Sequence, residues 1–153
     1  MKFLVDRMLG KLVKGLRMLG YDTLYYRGND TYQLFRLARE EGRVILTRRS
    51  KLVPKRPDDQ VVRIREDHPW AQLKELIEKG WIALHEEALF SRCLLCNTLL
   101  EEASREEVEG RVPEFIYYQH EHFFRCPQCQ KIYWPGSHQE HMNQKISELF
   151  RKG

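Results

Sequence analysis

Two C-x-x-C pairs, Cys93-Leu94-Leu95-Cys96 and Cys126-Pro127-Gln128-Cys129, constrain this chain more than any other feature. Each presents two sulfurs from one tight turn, and the 29 residues between the pairs suffice for a hairpin-like excursion that returns to the same point. Four thiolates suit tetrahedral Zn²⁺ and leave no open coordination position, the mark of a structural site. A redox pair needs only one such knuckle, which leaves an iron–sulfur cluster as the other use of four sulfurs. A lobe this small cannot fold on hydrophobic burial alone, so metal binding is expected to supply about 10 kcal/mol or more of its folding free energy. His120, His122, His138 and His141 form a rival ligand set, with His138 and His141 on one helical face. With four sulfurs available, these are read as hydrogen-bonding or phosphate-facing side chains. Phe124, Tyr133 and Trp134 flank the ribbon, either covering the knuckles or stacking on bases.

Ahead of the cysteines the texture differs. Lys2–Val5 is a short apolar run ending in Asp6, a first strand. It meets Asp6 and Arg7 too soon to be an export signal, and no window could cross a bilayer, so the protein is expected to be cytoplasmic. From Met8 to Leu19 the period changes: Leu9, Leu12, Val13, Leu16 and Leu19 place one stripe on a helix that stops at Gly20. Thr23–Tyr26 reads as a strand. Asn29 or Asp30 caps a helix running to about Glu41, and Val44–Leu46 is a buried strand. After a loop containing Pro54 and Pro57 come a strand over Gln60–Ile64 and a helix from Pro69 to Gly80.

The order β-α-β-α-β-loop-β-α predicts an α/β fold with a parallel sheet flanked by helices over residues 1–89. Residues 90–153 form the zinc ribbon and end in a helix over Met142–Phe150, for which Ser137 is the expected N-cap, with Glu140 three residues on. The acidic stretch between the knuckles (Glu101, Glu102, Glu106, Glu107, Glu109) is expected to supply little core.

Net charge is +4, but unevenly placed. Residues 1–89 hold 18 Lys and Arg against 13 Asp and Glu, whereas residues 90–153 hold 8 against 9. The excess concentrates between Arg43 and Arg65, a pattern suited to a polyanion. Ligands of parallel sheets sit outside the carboxyl ends of the strands, which brings Asp6, Asp30 and Thr47–Ser50 to one edge. Asp6 is expected to be exposed there, because burying it unpaired is expensive. Two carboxylates at that edge can hold Mg²⁺ or Mn²⁺ and activate water against a phosphodiester. Lys11, Arg17, Arg48, Arg49 and Lys51 would supply a basic rim for RNA. The plainer reading makes Asp30 an ordinary cap and Asp6 the partner of Arg7, Lys11 or Arg17.

Several runs resemble the Mut7-C family in the right order: Asp6-Arg7-Met8-Leu9-Gly10-Lys11-Leu12, Leu16-Arg17-Met18-Leu19-Gly20-Tyr21-Asp22-Thr23, Asp30 with its helix, and Arg43-Val44-Ile45-Leu46-Thr47-Arg48. Phe124-Arg125-Cys126-Pro127-x-Cys129 and Tyr133-Trp134-Pro135-Gly136-Ser137-His138 carry the resemblance through the ribbon. The family is similar to the PIN-like nucleases and implies an RNase domain with acids at the sheet's carboxyl edge, Asp6 and Asp30 matching its first two acidic positions. A third acid usually follows the Thr-Arg pair; here that place is Arg49, with Asp58 or Asp59 as the nearest substitutes. Two functions are therefore expected in competition. One is an endoribonuclease that processes or degrades RNA with a divalent metal on Asp6 and Asp30. The other is a non-catalytic RNA-binding protein in which Arg49 fills the metal's place. A protein partner on the ribbon is a further expectation.

Overall fold

A computed structural model describes residues 1–151. The chain divides into two compact units, Met1–Phe90 and a second beginning at Ser91.

The first unit is a four-stranded parallel sheet flanked by helices, the PIN-like architecture that the resemblance implies. Strand β1 (Lys2–Val5) leads through a 3-10 turn (Arg7–Leu9) into helix α1 (Gly10–Met18). Then follow β2 (Asp22–Tyr25), α2 (Thr31–Glu41), β3 (Val44–Thr47), β4 (Val61–Arg63) and α3 (Pro69–Glu78). The sheet order is β2-β1-β3-β4, every pair parallel. Side chains alternate across it. Leu4, Leu24, Ile45 and Val61 meet Leu34, Phe35 and Ala38 of α2. Phe3, Val5, Val44, Leu46 and Val62 therefore face the other way, toward α1 and α3. These two helices approach closely because Gly15 has no side chain: a Cβ there would stand 2.8 Å from Leu73 Cδ1.

The chain leaves β1 in one direction to form β2 and returns across β1 to form β3. That reversal makes the carboxyl ends of β1 and β3 the topological switch point, the usual ligand position in such sheets. The segment after α3 is tied back by the Tyr21 hydroxyl, which accepts from the Ala83 amide at 2.8 Å and donates to its carbonyl at 3.1 Å. Gly20, at φ +95°, lies so close to Ala88 that a Cβ would come within 2.4 Å of its carbonyl oxygen.

The second unit holds a three-stranded antiparallel sheet, β5 (Glu101–Ala103), β6 (Phe123–Arg125) and β7 (Ile132–Tyr133), in that order. Two short helices, α4 (Arg105–Val108) and α5 (Glu114–Gln119), fill the span between β5 and β6. The acidic stretch thus builds more than expected. Val108 is fully buried against Phe123 and Ile132, and Ser104 with Glu107 forms a capping box on α4. Glu101 and Glu107 both pair with Arg125. The last helix, α6 (Ser137–Phe150), begins earlier than predicted; Gly136 is its N-cap, so Ser137 is already helical and caps nothing.

Candidate functional site

Asp6 follows β1 directly and is 1% exposed. Its burial corrects the expectation of an exposed acid, and its partners explain why burial is tolerated. Oδ2 accepts from Thr47 Oγ1 at 2.7 Å and from Arg49 Nε at 2.8 Å. Oδ1 accepts from the Arg7 amide at 3.0 Å and from Arg49 Nη2 at 3.3 Å. A carboxylate offers roughly four lone-pair sites, and four donors occupy them. Thr47 Oγ1 also accepts from the Arg49 amide at 3.1 Å, which fixes the turn that swings the guanidinium onto Asp6.

Asp30 does something else. It is exposed, and its Oδ1 accepts from the Tyr32 amide at 2.9 Å as the N-cap of α2. The Tyr26 hydroxyl holds the Asp30 backbone, donating to its carbonyl and accepting from its amide. Among the described residues, the one group of three or more His, Cys, Asp or Glu whose ligand atoms could share an ion is the cysteine set. The expectation of an endoribonuclease centre on Asp6 and Asp30 is therefore corrected. The buried acid is neutralised by Arg49, and a hard cation would have to evict a bidentate guanidinium to reach it.

Asp59 offers no replacement. It precedes β4, so it lies at the amino edge of the parallel sheet, opposite Asp6. There it grips Arg39 through two hydrogen bonds of 2.9 and 2.8 Å and accepts from the Lys55 and Arg56 amides. The Arg39 guanidinium beside it holds its carboxyl well below the usual carboxylate range. Asp58 is exposed in the same loop.

The basic residues also separate. Lys11 is exposed on the first turn of α1, at the carboxyl edge. Arg48 and Arg49 follow β3 at that edge, with Arg48 Nη2 near the Arg65 carbonyl at 3.4 Å, and Lys51 is exposed two residues on. Arg17 is elsewhere. Six residues along α1 from Lys11, about 9 Å, it lies near the amino edge, where it is buried and donates Nε to the Thr23 carbonyl at 3.0 Å. Arg43 is likewise buried at the amino edge, paired with Asp22 at 2.8 Å. The basic run from Arg43 to Arg65 is thus two groups at opposite ends of the sheet rather than one patch. A contribution not anticipated comes from Arg27, exposed just past β2 and stacked over the Tyr25 ring at 5.3 Å.

The four cysteines converge. Their sulfurs all lie within 4.8 Å of one another, and Cys93 and Cys129 are 3.7 Å apart. A tetrahedron with metal–sulfur bonds of about 2.3 Å has edges of about 3.8 Å, so the set fits a four-coordinate metal with no vacant position. The two knuckles repeat one geometry. The Cys93 amide donates to Thr98 O and the Asn97 amide to Cys93 O; the Cys126 amide donates to Lys131 O and the Gln130 amide to Cys126 O. Asn97 and Gln130, each just after the second cysteine of its pair, take φ of 70° and 68°. Burial by itself pushes the Cys93 thiol up, but hydrogen bonds from Tyr133 and from the Leu95 and Cys96 amides outweigh it and bring it down to about 7. Burial and the neighbouring thiols push Cys96 up to about 12. A metal takes cysteine as thiolate, so its entry releases whatever protons the sulfurs carry. No histidine joins the set: His122, His138 and His141 are exposed.

Fold and site together define a PIN-like α/β unit whose acidic position is closed by an arginine, followed by a four-cysteine metal-binding lobe. The chain belongs to the Mut7-C family: the model described as Mut7-C RNAse domain matches residues 1–146. No curated protein and no solved structure matches it. Among the described residues no helix is long and apolar enough to cross a membrane.

Proposed function

We propose that this protein binds RNA at the carboxyl edge of its parallel sheet and does not cleave it. The observation that carries the reading is the bidentate pairing of Arg49 with the buried Asp6, which, together with the Thr47 hydroxyl and the Arg7 amide, occupies the acceptor sites a catalytic cation would need. Arg49 uses Nε and Nη2 on the carboxylate, while Nη1 makes no hydrogen bond among the described residues. That nitrogen can reach a phosphate oxygen, linking it to Asp6 as a metal ion otherwise would. Lys11, Arg48 and Lys51 add charge beside it, and Arg27 on Tyr25 adds a cationic plane on which a base can stack. We assign Zn²⁺ to the four thiolates, as a structural ion. Four reduced cysteines suit the cytoplasm.

Fluorescence anisotropy with single-stranded and hairpin RNAs tests this reading across a salt series. Replacing Lys11, Arg48 and Lys51 together by Ala should weaken binding and flatten the slope of log K against log salt by about 2 units, at roughly 0.7 per contact on a single strand. Mg²⁺ or Mn²⁺ should neither produce cleavage nor raise the melting temperature of the first unit. Cleavage that disappears in Asp6→Asn would overturn the proposal, as would an RNA affinity indifferent to salt.

A further inference from the structure

The thiolates of the metal site are not equivalent, and one side chain makes the difference. The Tyr133 hydroxyl lies 3.2 Å from Cys93 Sγ and 3.2 Å from the Leu94 amide. The amide can only donate, so it occupies an acceptor lone pair of the phenol oxygen. The phenol's single proton is then directed at the sulfur. Tyr133 belongs to β7, immediately after the second knuckle, yet it serves the first. The reciprocal arrangement is impossible because the residue equivalent to Leu94 in the second knuckle is Pro127, which has no N–H to offer. Lys131 lies 5.4 Å from the centre of the Tyr133 ring, a cation that draws electron density from the ring and strengthens the phenol as a donor.

We infer that Tyr133 is a positioning residue for the metal: it donates a hydrogen bond to the Cys93 thiolate, fixes that sulfur at its corner of the tetrahedron, and ties the two knuckles together. Such an outer partner stabilises the anionic form that the metal requires and lowers the electron density the sulfur passes to it. Loss of an outer hydrogen-bond partner typically weakens metal binding by about 10–100-fold. A second link between the knuckles, Thr98 Oγ1 donating to Gln128 Oε1 at 2.8 Å, touches no sulfur and so separates a structural tie from an effect on the metal. The inference rests on the metal-site reading above.

The experiment uses the full chain loaded with Co²⁺, whose sulfur-to-metal charge-transfer band reports directly on thiolate electron density. Tyr133→Phe keeps the ring and its packing and removes only the hydroxyl. It should move the band to lower energy and weaken Zn²⁺ binding about 10–100-fold in competition with a chromophoric chelator. Thr98→Val should leave the band where it is, while lowering the thermal midpoint of the second unit. A Tyr133→Phe protein with the parent's band and affinity overturns the inference, even if its stability has fallen. A parent that takes up neither Co²⁺ nor Zn²⁺ overturns the underlying metal reading instead, and shows this before any variant is compared.

Discussion

Arg49→Met is the substitution that most sharply tests the first unit. It keeps much of the side chain's bulk and removes the cation from a carboxylate that is 1% exposed. Stripping a buried ion pair of one partner typically costs about 3–5 kcal/mol, because the remaining charge is left uncompensated. Two features place this case lower. The Arg49 side chain is itself 35% exposed, so part of its charge is already solvated in the parent. Asp6 also keeps the Thr47 hydroxyl and the Arg7 amide, each hydrogen bond to a charged group being worth about 1.5–3 kcal/mol. The expected loss is therefore about 2–3 kcal/mol, or roughly 10–20 °C in the midpoint of a unit this size. Urea unfolding followed by tryptophan fluorescence measures it. The informative comparison is Asp6→Asn with Arg49→Met in one chain. The double variant no longer holds a naked charge, so it should recover at least half of the loss, a coupling that additive effects cannot produce. The reasoning is falsified if Arg49→Met unfolds within about 0.5 kcal/mol of the parent, or if the two losses simply sum.

Three further outcomes follow from other contacts. Cys126→Ala, or a strong chelator, should unfold the lobe beginning at Ser91 while the urea transition of Met1–Phe90 survives; hydrogen exchange at the amides of β5–β7 reads the difference. Asp59→Asn should flatten the acid limb of the stability curve. The Asp59 carboxyl is depressed in the fold by its bond to Arg39, so its contribution is complete above the unfolded value near 3.9 and fades as pH falls through the lower folded value. A parent and variant that lose stability in parallel below pH 4 would remove that role. Gly20→Ala should cost about 2–4 kcal/mol, combining the left-handed backbone with a Cβ 2.4 Å from the Ala88 carbonyl; a loss under 1 kcal/mol by denaturant titration would mean that the segment before Phe90 moves aside freely.

The parallel sheet was legible because the hydrophobic period changes from continuous runs to three-and-four spacing and back, with Gly20 and Gly42 at the breaks. The knuckles were legible because two identical spacings leave few other uses for four cysteines. What could not be read was the pairing of charges. A strand-end acid is exposed only if it lacks a partner, and Arg49 sits 43 positions away in the chain, brought alongside only by the β1–β3 register of Val5 with Leu46. Arg17 and Arg43 read as solvent-facing cations, yet both lie at the amino edge with guanidinium groups buried on carbonyls or carboxylates. The strong positive run from Arg43 to Arg65 misled for a geometric reason. Two parallel neighbours force the loop between them to travel the length of the sheet, so residues contiguous in the chain end at opposite edges. In the acidic stretch, charge density masked structure: Glu101 and Glu107 hold Arg125, and Val108 supplies core.

An arginine on the first acidic position separates two properties that a metal ion would deliver together. A divalent cation attracts phosphate and also lowers the pKa of bound water, so a surface that recruits RNA through it brings a potential nucleophile to the phosphate as well. A guanidinium keeps the attraction and the geometry, with fixed donors that span a carboxylate and a phosphate oxygen, but it coordinates no water and stays protonated throughout the accessible pH range. It also brings one positive charge where a metal brings two, which suits an edge already carrying Lys11, Arg48 and Lys51. Because Asp6 is buried and tethered by Thr47 and the Arg7 amide, the guanidinium is held in place by the acid, and a phosphate would meet a donor already aimed. Preorganisation of that kind lowers the ordering cost of binding. On the proposed reading, Asp6 then serves as the anchor for a phosphate-binding guanidinium and not as the ligand of a cutting metal.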